Sequence, residues 1–168
     1  MRIPTLYALP LDVMPVALIE RAASLLFKRL LVTHPGLFDR LGDFRDRRFV
    51  FAPVDLPLIF KVEPEKKALS VCRKPQDFEA DARIEAPLFL LLALLEGRCD
   101  ADALFFSRDL TVTGDMEAML AMRNALDDSN IDLPRDLSRM TGPLAPLFAR
   151  AGNSLRRRAL GEETAAWN

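Results

Sequence analysis

The hydrophobic positions at the start of the chain repeat at the spacing of an amphipathic helix. Pro15 suits the first turn of a helix, and apolar residues then recur every three or four positions up to Leu30. His34-Pro35-Gly36 marks the end of this helix, and a shorter helical piece over about residues 37–41 is expected to stop at Gly42. Residues 1–44 are therefore predicted to hold a proline-punctuated lead-in and an amphipathic helix.

The period then changes to that of β-strands. Four short runs separated by prolines predict an antiparallel meander over residues 48–52, 58–63, 68–73 and 78–86. In the last run, apolar and charged residues alternate strictly, so one face is apolar and the other is charged. Three of its five apolar residues are alanines, which leave room above the sheet for a close-packed helix or for a cavity. The pattern does not choose between the two.

Helical signals return after the fourth run. Residues 87–96 are almost wholly apolar, which predicts a helix buried around most of its circumference. Leu110–Thr113 reads as a fifth strand, and Asp115 is a suitable N-cap for a helix with apolar residues from Met116 onward. Residues 135–159 contain an amphipathic segment with a basic end, and residues 160–168 are expected to be a disordered tail.

Composition and charge narrow the class of protein. A chain of 168 residues with 50% hydrophobic residues predicts one folded domain of ordinary size. The formal net charge is −1, which gives no global basic field for binding nucleic acid. Both ends of the chain are net basic and the middle is acidic, a distribution that would let the ends approach an anionic surface. The longest apolar run has ten residues, too few for a membrane-spanning helix.

Candidate catalytic groups are scarce. His34 is the only histidine and lies at a predicted helix end, and Cys72 and Cys99 have no metal-ligand or C-x-x-C spacing. The glycines form no phosphate-binding motif. We therefore expect no catalytic residues, no metal site and no cofactor. An enzyme that acts on a lipid through one of the two cysteines remains the weakest alternative.

One segment resembles a known family. Residues 102–115 contain Leu-Phe-Phe-Ser-Arg-Asp-Leu-Thr-Val-Thr-Gly-Asp, which resembles the LFF-x-R-x-L-x-x-x-GD turn and strand of the sterol carrier protein 2 (SCP-2) sterol-transfer domain family. Together with the order of elements, the resemblance covers residues 45–134 and looks closest to bacterial accessory factors of oxygen-independent ubiquinone biosynthesis. It implies an α/β fold in which helices cover one side of a five-stranded, largely antiparallel sheet, with an apolar tunnel between them.

The resemblance also implies a function. It predicts a non-catalytic protein that holds a polyprenylated ubiquinone precursor or a phospholipid in the tunnel and presents it to hydroxylase subunits. Such a protein would be cytoplasmic, or bound peripherally at the inner membrane. Two alternatives stay open: a lipid-free interaction module that recruits biosynthetic partners, and a general carrier of sterols or fatty-acyl lipids.

The predicted site has two parts. The candidate tunnel-lining residues are Phe51, Phe60, Ala82, Ile84, Ala86, Phe89, Leu92, Leu95, Phe105, Met116, Met119 and Leu120. The candidate lid or membrane-facing residues are Leu144, Leu147, Phe148, Arg156, Arg157 and Arg158. The amphipathic pattern of the second group suits a mobile cover over the tunnel and equally a helix packed permanently on the domain.

Overall fold

A computed structural model describes residues 14–96, 110–132 and 135. The chain divides into two compact units at Ile131, and every element below belongs to the first. In chain order the elements are α1 (Val16–Thr33), a 3₁₀ helix (Asp39–Phe44), β1 (Phe49–Pro53), β2 (Leu58–Glu63), β3 (Ala68–Arg73), β4 (Ala82–Ala86), α2 (Leu88–Leu95), β5 (Thr111–Gly114) and α3 (Met116–Asp128). In the second unit, the Arg135 N–H donates to Asp132 Oδ1 at 3.1 Å.

The five strands form one mixed sheet in the order β3-β2-β1-β4-β5. Three of the four pairings are antiparallel, and β1 pairs with β4 in parallel. The predicted antiparallel meander is therefore right for β1, β2 and β3 and wrong for β4. The reason is that residues 74–81 carry the chain back across the sheet, so that β4 starts at the same end as β1.

This crossing segment also explains why the fourth strand is shorter than expected. The predicted strand over residues 78–86 begins only at Ala82. Phe78 and Ala80 instead pack against a small core on one face of the sheet, which we call the back face; it consists of Val50, Ala52, Ile59 and Cys72. The apolar residues that alternate with these along the strands point to the opposite, front face.

Helix α1 covers the open edge of the sheet at β3. The Glu20 carboxylate accepts a hydrogen bond from the Val71 N–H at 3.2 Å, and the Ser24 hydroxyl donates to the Leu69 carbonyl at 2.9 Å. Two backbone groups that an edge strand would leave to solvent are thus bonded by helix side chains. The predicted helix ends as expected, with the His34 N–H donating to the Leu30 carbonyl at 2.8 Å.

A network around Arg48 fixes the start of the parallel pair. Its side-chain Nε and Nη2 donate to the two oxygens of Asp81 at 3.0 and 3.1 Å, and its backbone N–H donates to Oδ2 at 2.7 Å. Arg48 Nη1 also donates to Glu79 at 2.9 Å. The hydrogen bonds from Arg48 hold the pKa of Asp81 below its ordinary value.

The turn between β5 and α3 uses one glycine and one cap. Gly114 has a φ of +88°, and a Cβ built on it would lie 2.3 Å from the Asp81 carbonyl oxygen. Asp115 caps α3 as predicted, because its side chain accepts from the Ala118 N–H at 3.0 Å. The short helical piece expected over residues 37–41 is instead the 3₁₀ helix Asp39–Phe44, which is interrupted by non-helical backbone at Gly42.

Candidate functional site

A cavity of about 450 Å³ lies between the front face of the sheet and the helices. Among the described residues that line it, Arg123 carries the only charged side chain. The lining residues are Phe27, Leu30, Leu37, Phe38, Phe51, Pro53, Phe60, Val62, Leu69, Ile84, Leu88, Leu91, Leu92, Leu94, Leu95, Leu110, Val112, Met116, Met119, Leu120, Met122, Arg123 and Leu126. The wall can accept a large apolar group and offers almost nothing to a polar one.

The floor of the cavity is formed by cross-strand neighbours in the sheet. Phe51 of β1 is in register with Phe60 of β2 on one side and with Ile84 of β4 on the other, and Ile84 is opposite Val112 of β5. Phe51 and Phe60 are only half-buried although β1 and β2 are interior strands. Aromatic side chains in the middle of a sheet are usually covered, so their exposure marks the empty space above them.

The helices supply the roof. Helix α2 consists only of Leu, Phe and Ala, and five of its leucines reach the cavity wall. In α3, Met119 and Met122 are buried, whereas Met116 and Leu120 are 53% and 54% exposed. We call Met116 and Leu120 the rim residues, because there the wall of the cavity reaches the surface.

The structure brings together eight of the twelve predicted lining residues. They are Phe51, Phe60, Ile84, Leu92, Leu95, Met116, Met119 and Leu120. Ala82 and Ala86 point to the same front face but are completely buried and do not line the cavity. Helix α3 packs against β4, where Ala118 is also completely buried, so the small residues of β4 allow close helix packing rather than adding open space.

Phe89 is half-buried on α2 and does not line the cavity either. Phe105 lies outside the described residues. So do the candidate lid residues Leu144, Leu147, Phe148 and Arg156 to Arg158, as well as the predicted tail.

Sequence reasoning missed the part of the wall that comes from the N-terminal elements. Phe27 and Leu30 of α1 and Leu37 and Phe38 after it line the cavity, and the rings of Phe27 and Phe38 lie 6.1 Å apart between centroids. The helical spacing of Phe27 and Leu30 was a usable signal. The resemblance covers only residues 45–134, so α1 lies outside the part of the chain that it predicts to bind lipid.

Cys72 and His34 do not line the cavity, and Cys99 lies outside the described residues. Cys72 belongs to the back face, and burial raises the pKa of its thiol, with a further contribution from the negative charge of Asp77. His34 lines a separate, polar depression with Arg40 and Asp128, which form an ion pair. Cys99 is not described. Within residues 14–96, 110–132 and 135, no group of three His, Cys, Asp or Glu side chains could hold a metal ion.

The sequence of the chain matches a known protein family. The sequence profile of the SCP-2 sterol transfer family matches residues 27–127. The chain belongs to this family. The SCP-2 match includes all five strands, α2, nearly all of α3 and the end of α1. Every described residue that lines the cavity lies within it. No protein with a curated description matches this SCP-2 chain.

A solved structure of a ubiquinone synthesis protein shows the same SCP-2 fold. The chain is similar to "UbiJ-SCP2 Ubiquinone synthesis protein", with 19% identity and a TM-score of 0.56, over 71% of this chain and 98% of that one. It is also similar to sterol carrier protein 2 from Yarrowia lipolytica in the apo form, with 14% identity and a TM-score of 0.46, over 63% and 90% of the two chains. The SCP-2 family and the α/β fold with a mostly antiparallel five-stranded sheet are confirmed. Among the described helices of this SCP-2 protein, none combines the length and the apolar character needed to cross a bilayer.

Proposed function

We propose that this protein binds the apolar tail of a polyprenylated ubiquinone precursor in the cavity and presents its head group to partner hydroxylases. The observation that carries the proposal is the cavity wall: 23 described residues line about 450 Å³, and a single one of them is charged. Apolar surface of this extent gains free energy by covering a hydrocarbon tail. Similarity to a ubiquinone synthesis protein of the same fold supports the choice of tail.

The proposal does not require catalysis by this chain. Apart from Arg123, the described residues of the wall have Leu, Ile, Val, Phe, Met and Pro side chains, none of which can transfer a proton or form a covalent intermediate. Binding alone is enough, because it removes the tail from water and leaves the head at the surface. The chemistry on the head group then belongs to the partner hydroxylase subunits.

Contact with a membrane surface is part of the proposal, since the lipid must be loaded from a bilayer. Helix α1 exposes Leu18, Leu25 and Val32, which are seven residues apart and therefore share one side of the helix. The exposed cations Arg21 and Lys28 lie beside this stripe. A helix with an apolar stripe and basic neighbours is suited to the surface of an anionic bilayer. This pattern supports a protein that works in the cytoplasm or peripherally at the inner membrane.

The direct test is to identify what the protein holds. Protein purified from a quinone-producing bacterium should yield, by mass spectrometry of organic extracts, about one equivalent of an isoprenoid quinone precursor, and native mass spectrometry should give the stoichiometry. A phospholipid in the extract would support lipid binding but count against the quinone precursor. Sterol or mixed fatty-acyl lipids would favour a general carrier.

Variants separate the cavity from the surface. Leu92→Trp places an indole in the cavity, and Val54→Trp places the same group at an exposed position outside it. We expect Leu92→Trp to lower uptake of a farnesylated phenol and anaerobic quinone synthesis, while Val54→Trp retains both. An empty wild-type protein that also fails to take up the phenol, yet supports quinone synthesis, would favour the lipid-free interaction module.

A further inference from the structure

The two edges of the sheet differ in what covers them. At β3, side chains of α1 bond two backbone groups of the edge. At the other edge, β5 pairs with β4, and no other described segment pairs with it. Three of the four residues of β5 are exposed. An edge strand without such a cover can pair with another chain.

The register shows which backbone groups of β5 point outward. The Asp115 N–H donates to the Asp81 carbonyl at 2.8 Å, so the chain at Asp115 directs its bonding groups toward β4. This direction alternates along an antiparallel strand, so Thr111 and Thr113 also bond β4, whereas Val112 directs its N–H and carbonyl away from it. Val112 is therefore the centre of the open edge.

The residues of this edge are complementary to themselves. β5 contains no proline and no charged side chain, and these are two features that keep edge strands from pairing. If two copies pair antiparallel about Val112, valine is opposite valine at the centre. Each Thr111 is then opposite Thr113 of the second copy, and Thr–Thr pairs across neighbouring strands are favourable.

The charges of β4 fit the same arrangement. Within one copy, Thr111 is opposite Glu85 and Thr113 is opposite Arg83. Antiparallel pairing therefore places Glu85 of one copy and Arg83 of the other in the same row across the two sheets, and no like charges share a row. The two charges are three strand spacings apart, roughly 14 Å, so they orient the pair more than they stabilise it.

The front side of this edge adds apolar surface. An axis perpendicular to the sheet relates antiparallel copies, so their front faces lie on the same side. Helix α3 begins two residues beyond β5, and its rim residues Met116 and Leu120 are 53% and 54% exposed. A strand this short buries too little for a stable dimer, which covers roughly 800 Å² on each partner, so the contact must extend to α3.

We propose that a second copy of this chain pairs antiparallel with β5 about Val112, so that the five strands of each copy join in one continuous sheet. The proposal goes beyond the proposed function, because the pairing needs no lipid. Since Val112 also lines the cavity, the two cavities lie side by side on one face of the joint sheet.

Two double variants of the full chain, which differ at one position, test the pairing. Thr111→Lys/Thr113→Glu sets opposite charges against each other across the two copies, whereas Thr111→Lys/Thr113→Lys sets like charges against each other. In sedimentation velocity, we expect wild type to associate from monomer to dimer as its concentration rises. The first variant should dimerise at least as tightly as wild type, and the second about tenfold more weakly. Thermal unfolding verifies that each variant is folded.

Hydrogen exchange of the wild-type protein supplies a test that needs no substitution. The Val112 N–H points away from β4, so its exchange should slow as the concentration rises and the dimer forms. The Thr113 N–H, which bonds β4, is the internal control and should exchange at the same rate at every concentration.

Three results would overturn the proposal. The first is a protein that stays monomeric at its highest soluble concentration. The second is a dimer that both variants form equally tightly, which would place the interface on another surface, such as α1. The third is slow exchange of the Val112 N–H in the monomer, which would show that another segment of this chain covers the edge. None of these results decides whether the cavity binds a lipid.

Discussion

Lengthening the tail of a lipid should tighten its binding only until the tail fills the cavity. At roughly 30 Å³ for each carbon unit, about the volume of a water molecule in the liquid, the cavity of about 450 Å³ holds roughly 15 carbons. Three isoprene units contain this number of carbons. A longer polyprenyl tail would leave its far end outside the cavity as the structure shows it.

The expected energies follow from the same count. Each buried methylene contributes about 0.8 kcal/mol, so one isoprene unit contributes at most about 4 kcal/mol before the cost of ordering the tail. Farnesol, with three units, should therefore bind at least about tenfold more tightly than geraniol, with two. Geranylgeraniol, with four, should gain less than about threefold over farnesol, because its last unit finds no further wall among the described residues.

Displacement of a neutral dye from the purified protein, below the solubility limit of each alcohol, gives the three affinities. Phe60→Ala removes a ring from the cavity floor and should move the plateau toward geranylgeraniol, whereas Phe78→Ala removes the same ring from the back face and should not. Affinity that keeps rising by equal steps through four units would refute the size limit. Affinity that is flat from geraniol onward would show that the tail does not occupy the cavity.

Two substitutions test the framework around the site, and a third tests the proposed membrane contact. Asp81→Asn weakens the bonds to Arg48 and should cost about 1–2 kcal/mol at pH 7 by chemical denaturation. The folded-state pKa of Asp81 is lowered, so its carboxylate stabilises the fold above the unfolded pKa of about 4 and loses this effect as the pH falls through the folded value. The stability difference between Asp81→Asn and wild type should therefore shrink toward pH 3. An equal difference at pH 7 and pH 3 would contradict this. Gly114→Ala should lower stability by at least about 2 kcal/mol, because its Cβ would clash with the Asp81 carbonyl and its φ is positive. Gly36→Ala is the control: its Cβ would make only an ordinary contact, so stability should change by less than about 0.5 kcal/mol. Similar thermal midpoints for the two variants would argue against the clash. Leu25→Glu should reduce co-sedimentation with anionic vesicles by about tenfold and leave dye binding intact, and unchanged sedimentation would remove α1 from the membrane contact.

Local signals in the sequence account for most of the elements. The helix from Val16, the strands β2 and β3 and the Asp115 cap were all predictable, because periodicity and capping depend on residues close in sequence. The start of β4 could not be predicted in this way. Phe78 and Ala80 keep the alternation of a strand, although they lie outside the sheet and cover its back face. Tertiary structure decides which surface an apolar residue covers.

The cavity itself was only partly predictable for the same reason. An apolar residue that lines a cavity and one that fills a core look alike in sequence. Ala82 and Ala86 were expected at open space and lie under close packing, whereas Phe27 and Leu30 were left out and belong to the wall. The distinction depends on how closely helices from distant parts of the chain approach the sheet.

The bonds between α1 and β3 restrict how another polypeptide can join this sheet. Adding a strand at an edge requires backbone groups that can pair with the incoming chain. At β3, the Val71 N–H and the Leu69 carbonyl are already bonded to Glu20 and Ser24, so a partner that added a strand there would have to displace α1. Helix α1 also contributes Phe27 to the cavity wall, and its displacement would open that wall. Strand addition at this edge would thus open the cavity wall at Phe27, whereas docking that leaves α1 in place would keep this part of the wall intact.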